Sequence, residues 1–142
     1  VGIVYVTDKT YIIEAGKDGV KQTLLKDFEK KGIYHVYRYP LTVKDKNKII
    51  KIGLSQLGKP YNLTLNLKSQ GFYCSQLVDF CFRKAGIMLT DEYLSLKDIE
   101  SLAEKNKISS SIFWKYYKKE ERNRDEKNIV SPGAIVRRLM KL

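Results

Sequence analysis

Between Tyr73 and Ala85, the residues Leu77, Val78, Cys81, Phe82 and Ala85 recur at helical spacing, and Gly86 closes the run. No other segment is so clearly committed to one conformation. A helix with one apolar stripe has to bury it, so the remaining chain must supply a complementary apolar surface. The start of the chain offers one. Val1-Gly2-Ile3-Val4-Tyr5-Val6 is β-branched and aromatic, Thr7-Asp8-Lys9 is turn-forming, and Thr10 to Ala15 is a second extended run. The expectation is a hairpin with a helix packed on it.

The rest of the chain follows with weaker signals. Gly16 to Gly19 breaks the second strand, and Leu24, Leu25 and Phe28 form a short amphipathic stretch ending at Gly32. Ile33 to Tyr39 alternates as a further strand, stopped by Pro40. Val43 to Leu57 reads as a helix with a lysine-rich outer face, ended by Gly58-Lys59-Pro60. Tyr61 to Leu67 alternates, as either strand or loop. Ser95 to Lys105 reads as a helix opened by a Ser-x-x-Asp box. Residues 115–127 read as a solvated loop or helix face, and Ser131-Pro132-Gly133 opens a last short helix. Strands early and helices later indicate an α+β fold. The length of 142 residues, with no repeat, linker or shift in composition, indicates a single domain over 1–142. Val1 reads as mid-strand, so the N-terminus is expected to be truncated, with further residues upstream.

Composition narrows the function classes. At 43% hydrophobic the chain can form a core. Its apolar runs are far short of the ~20 residues a membrane span needs. The net charge of +11 invites a polyanion partner. The lysines are scattered, however, and no helix-turn-helix, ribonucleoprotein motif or zinc finger is present, so specific nucleic-acid binding is not expected. Weak attraction to anionic surfaces such as phospholipid or cell-wall polymers remains compatible with the charge. Cys74 and Cys81 lie about two helical turns apart, too far for a disulfide. With His35 as the single histidine, they cannot complete a zinc site. Free thiols suit a reducing compartment, but a leader upstream of Val1 can be neither seen nor excluded, which leaves both a cytoplasmic and an exported protein open.

Cys74 is the most informative residue, because it falls at the first turn of the strongest helix. Unpaired N–H groups and the positive end of the helix dipole favour negative charge there. The same N–H groups can receive the oxyanion formed when a thiolate attacks an acyl carbon. A small buried hydrophobe at that position is the plainer reading. Cys81, in mid-stripe, reads as core. A cysteine nucleophile also needs a base, and His35 reads as an ordinary histidine on its strand.

Leu57-Gly58-Lys59-Pro60-Tyr61 followed by Tyr73-Cys74-Ser75-Gln76-Leu77-Val78 resembles the YiiX-like branch of the NlpC-type cysteine peptidases and amidases. Val1-Gly2-Ile3-Val4, Tyr11-Ile12-Ile13-Glu14-Ala15, Val36-Tyr37-Arg38-Tyr39-Pro40 and Ser131-Pro132-Gly133 are similar to that branch's first three strands and closing segment, so the likeness spans nearly the whole chain. It implies a circularly permuted papain-like fold, with an antiparallel sheet followed by the cysteine helix. It also implies a Cys–His–acid site. Cys74 would be the nucleophile and Glu14 would orient the histidine. Tyr61 would line the site and assist the oxyanion, and Tyr73 and Asn62 would contact substrate.

In the family the histidine immediately precedes the Val-Gly-Ile stretch. The expectation here is therefore a histidine just upstream of Val1, and His35 does not match that position. The family usually has Glu where Gln76 stands and often Asp where Asn62 stands, a difference that bears on substrate preference. The implied activity is a thiol hydrolase acting on a peptide, cell-wall or lipid acyl group through a cysteine thioester, with no metal or organic cofactor. A lipid-directed acyltransferase or thioesterase of the same superfamily is the alternative within enzymes. A chain truly lacking the histidine would be a non-catalytic module binding lipid or acidic polymers.

Overall fold

The computed structural model describes residues 1–105, 123–137 and 139–141. Strands β1 (Gly2–Val6), β2 (Thr10–Gly16) and β3 (Gly19–Leu24) form an antiparallel sheet in the order β1-β2-β3. The β1–β2 hairpin is the one expected from the sequence. β3 is not: Lys21, Gln22 and Thr23 interrupt any apolar alternation, so the chain's return after Gly19 is hidden. Gly16 pairs with Gly19, and Gly19 takes φ +93, the left-handed backbone that closes this tight turn.

Helix α1 (Leu25–Glu29) follows, then strand β4 (Tyr37–Arg38) and helix α2 (Val43–Leu54). The strand expected over Ile33–Tyr39 is reduced to Tyr37–Arg38, which pairs with β5 (Met140–Lys141). Residues 33–36 have no strand partner and are exposed, so alternation alone did not make a strand there. α2 begins with a capping box in which Thr42 Oγ1 accepts from Asp45 N–H, and the Asp45 carboxylate accepts from Thr42 N–H. Tyr61–Leu67 is a loop.

Helices α3 (Cys74–Lys84), α4 (Leu96–Lys105) and α5 (Pro132–Val136) complete the described elements. The Ser95–Asp98 box opens α4 as expected, with Asp98 N–H donating to Ser95 Oγ and Ser95 N–H to the Asp98 carboxylate. Ser131 Oγ accepts from Ala134 N–H and opens α5. Most of the solvated segment expected over 115–127 lies outside the described residues, as does Tyr116-Tyr117-Lys118-Lys119. Residues 124–125 form a turn.

α3 lies across β1 and β2 and packs on α2 along one side. Its stripe does what the sequence implied: Leu77 and Cys81 are completely buried against Ile13 of β2 and Ile49 of α2. Burial of side chains this size contributes about 1.5–3 kcal/mol each, which makes α3 and the sheet one rigid unit. No helix among the described residues is long and apolar enough to cross a membrane.

Candidate active site

Cys74 is the first residue of α3 and is partly exposed, directly after Tyr73, whose extended backbone ends the incoming loop. The residues flanking Cys74 are both tied to Val130. Tyr73 Oη accepts from Val130 N–H at 3.0 Å, and Ser75 Oγ donates to the Val130 carbonyl at 2.8 Å. Segment 128–130 is in turn bonded to Leu94, where the Leu94 and Ile129 backbones exchange hydrogen bonds. Tyr73 and Ser75 are buried, so the cysteine's backbone is clamped on both sides.

Tyr61 is brought to the same helix end by the Gly58-Lys59-Pro60 turn. Val20 N–H donates to the Lys59 carbonyl and Gly58 N–H to the Val20 carbonyl, fixing the turn to the start of β3. On its other side Phe72 N–H donates to the Pro60 carbonyl, and Asn62 N–H donates to the Phe72 carbonyl. The two strands come so close that a Cβ at Gly71 would lie 2.1 Å from Pro60 O, so only glycine fits there. The result is that the Tyr61 hydroxyl lies beside Cys74, close enough for that residue's charge and backbone N–H to act on the phenol. Burial raises the phenol pKa, the charge of Cys74 adds to that, and the N–H bond opposes it only in part. The net upward shift keeps Tyr61 protonated at neutral pH. Protonated, its O–H is available as a donor.

Asn62, next to Tyr61, is 1% exposed. Its amide donates to Gln76 Oε1 at 3.0 Å and to the Asn66 carbonyl at 2.9 Å, and its oxygen accepts from the Thr64 backbone and hydroxyl. Gln76 Oε1 also accepts from Tyr73 N–H at 3.2 Å. Within this loop Leu65 is buried at φ +54, a backbone that leucine rarely adopts. The Asn62 bonds and the burial of Leu65 hold it there. Both residues expected to contact substrate are buried, and Tyr73 also lines the open cavity along α3. Asn62 is a buried brace between the Tyr61 loop and the cysteine helix, and Tyr73 is a buried anchor for Val130.

Glu14 sits near the end of β2, opposite Gly2 of β1 and Lys21 of β3, and is buried. Thr23 Oγ1 donates to its Oε1 at 2.7 Å, and Lys31 Nζ donates to the same oxygen at 2.5 Å. Burial pushes the carboxyl pKa up. The Lys31 and Thr23 hydrogen bonds and the charges of Lys31 and Lys21 outweigh it, so Glu14 ends below its ordinary value and is ionised at neutral pH.

The structure thus brings Tyr61 beside Cys74 and links Asn62, Gln76 and Tyr73 in one network, while Glu14 projects from β2 on the sheet face opposite Ile13 and α3. His35 is exposed in the 33–36 segment, and the hydrogen bonds to Glu14 come from Thr23 and Lys31. Cys81 is fully buried, and burial pushes its thiol up to about 12. Sequence reading missed Thr23, Lys31 and Val130. The first two depend on the unforeseen β3 and the turn after α1, and Val130 acts through its backbone alone. Among the described residues no group of three or more His, Cys, Asp or Glu side chains could hold a metal ion.

A cysteine opening the helix that crosses an antiparallel sheet, with the sheet earlier in the chain, is the papain-like arrangement in permuted order. The chain belongs to the permuted papain-like amidase family (YaeF/YiiX, C92), whose sequence pattern matches residues 1–136. Among solved structures it is similar to the crystal structure of the metalloprotein YiiX from Escherichia coli O157:H7, with TM-score 0.77 and 27% identity, over 99% of this chain and 79% of that one. No curated protein matches it significantly. Family membership makes the chain one of a group of amidase-type hydrolases.

Proposed function

We propose that the protein cleaves an amide or ester through a thioester on Cys74, using a Cys–His–Glu triad whose histidine immediately precedes Val1. The observation that carries this reading is Cys74 at the first turn of α3, partly exposed, with the Tyr61 phenol beside it. It pairs a nucleophile with an oxyanion donor at one point. Support for the histidine comes from strand register. Gly2 faces Glu14 across β1–β2, and residues two apart in a strand share a face. The residue before Val1 would therefore share Glu14's face of the sheet, if β1 continues. Both side-chain donors to Glu14 fall on Oε1, which leaves Oε2 for an imidazole.

The reaction then runs as acyl transfer. The imidazole takes the Cys74 proton and the sulfur bonds to the acyl carbon. The carbonyl oxygen becomes an oxyanion received by Tyr61 O–H, as the first-turn N–H groups of α3 stabilise negative charge. The C–N or C–O bond breaks as the imidazolium protonates the leaving amine or alcohol. Water, deprotonated by the same imidazole, cleaves the thioester and releases a carboxylate. Glu14, ionised, holds the ring and balances its charge. Asn62 acts indirectly, by fixing Tyr61, and Tyr73 by fixing Cys74. The acyl donor is a peptide, a cell-wall stem or a lipid.

The codon preceding Val1 tests the triad. Histidine is expected, with its replacement by alanine abolishing hydrolysis of amide and ester substrates. Any other natural residue there overturns the triad.

A further inference from the structure

On its outward side, away from the sheet, α3 forms one wall of an open cavity of about 660 Å³. That size suits a small organic molecule. Its floor is aromatic: Phe72 and Phe80 lie with ring centroids 5.0 Å apart. An ammonium stands over each ring, Lys59 Nζ at 5.4 Å from the Phe72 centroid and Lys84 Nζ at 5.8 Å from that of Phe80. Among the described residues neither lysine has a carboxylate partner, and both are exposed. The cavity's one carboxylate, Asp79, is already paired within the wall. It accepts from Arg83 Nε at 2.9 Å and is reached by the Tyr93 hydroxyl at 3.3 Å. Lys127 adds a further cation to the lining.

An apolar floor bordered by unmatched ammoniums is complementary to one kind of ligand. We propose that this cavity is a second binding site, which takes an amphiphilic carboxylate: a single anionic group on an aliphatic or aromatic body. The body would cover Phe72 and Phe80, and the carboxylate would lie between Lys59 and Lys84. The apolar contact with the rings adds to the attraction of the two ammoniums, which alone would be weak in water. Cys74 is not in the lining, although Tyr73, Gln76 and Val130 of its clamp are; the aromatic and charged part of the wall comes from Asp79, Phe80, Arg83 and Lys84, further along α3. The site does not depend on the catalytic reading.

Calorimetric titration with decanoate below its micelle concentration tests this. One saturable site is expected, weakened about tenfold or more by the double substitution Lys59→Gln and Lys84→Gln. Asp79→Asn removes the only negative charge of the wall and is expected to tighten binding. Cys74→Ala is expected to leave it unchanged. Acetate, lacking the body, and decyltrimethylammonium, with the opposite charge, are expected to bind far more weakly. Circular dichroism establishes that each variant is folded. Absence of saturation, undiminished affinity in the double lysine variant, or equal binding of acetate or of the cationic amphiphile would each overturn the proposal. Loss of binding in Cys74→Ala would overturn its independence from the cysteine.

Discussion

Asn62 Nδ2 donates to Gln76 Oε1 at 3.0 Å, joining the loop that carries Tyr61 to the helix that begins with Cys74. In this pair a neutral donor meets a neutral acceptor. Asn62→Asp would turn a buried carboxylate toward Gln76 Oε1 and the Asn66 carbonyl, both acceptors. The expected cost is about 3 kcal/mol in urea unfolding. Gln76→Glu keeps an acceptor for both Asn62 and Tyr73 N–H and is expected to cost less than about 1 kcal/mol. Equal costs for the two substitutions would contradict the brace.

The two thiols should separate cleanly. Cys81 is completely buried, with its thiol pushed up to about 12, while Cys74 is partly exposed. Iodoacetamide near neutral pH is expected to label Cys74 alone in the folded protein and both cysteines in urea. Peptide mass spectrometry reads the sites. Comparable labelling of Cys81 in the folded state would contradict its place in the core.

Removing the phenol hydroxyl tests the oxyanion role. Tyr61→Phe is expected to lower kcat by about 10- to 100-fold, with KM and unfolding free energy little changed. A loss expressed in KM alone would assign Tyr61 to ground-state binding instead.

Glu14 gives a pH signature. Its folded pKa lies below the ordinary carboxylate value. Its ionised form therefore stabilises the fold above that ordinary value, and the contribution is lost as pH falls through the depressed one. The stability difference between the natural protein and Glu14→Gln is expected to be largest near neutrality and to shrink on acidification. Lys31→Met removes the main opposing charge, so the loss should begin at a higher pH. A pH-independent difference would contradict the Lys31–Glu14 pair.

The parts of the fold that were legible in the sequence are those whose signals are local. The α3 stripe, the β1–β2 hairpin and the Ser95–Asp98 box each lie within a few turns or a single register. β3 was not legible because its exposed edge carries Lys21 and Gln22, and only pairing with β2 makes it a strand. Ile33–Tyr39 misled for the converse reason: it alternates, but 33–36 meets no neighbouring strand. In the site, Cys74 and Tyr61 were marked by their motifs. The clamp from Val130 was not, because a backbone N–H and carbonyl leave no trace in residue type. Asn62 was legible as important but not as buried, since its partners lie on the loop and on α3.

The central claim is that Cys74 carries the acyl group. The most direct measurement is mass spectrometry of the full-length protein quenched during turnover of a p-nitrophenyl ester, with Cys74→Ala and Cys81→Ala in parallel. The account predicts an acyl adduct on Cys74, retained in Cys81→Ala, and at least a ~10³-fold loss of hydrolysis in Cys74→Ala. Undiminished hydrolysis by Cys74→Ala, or an adduct on another residue, would contradict it.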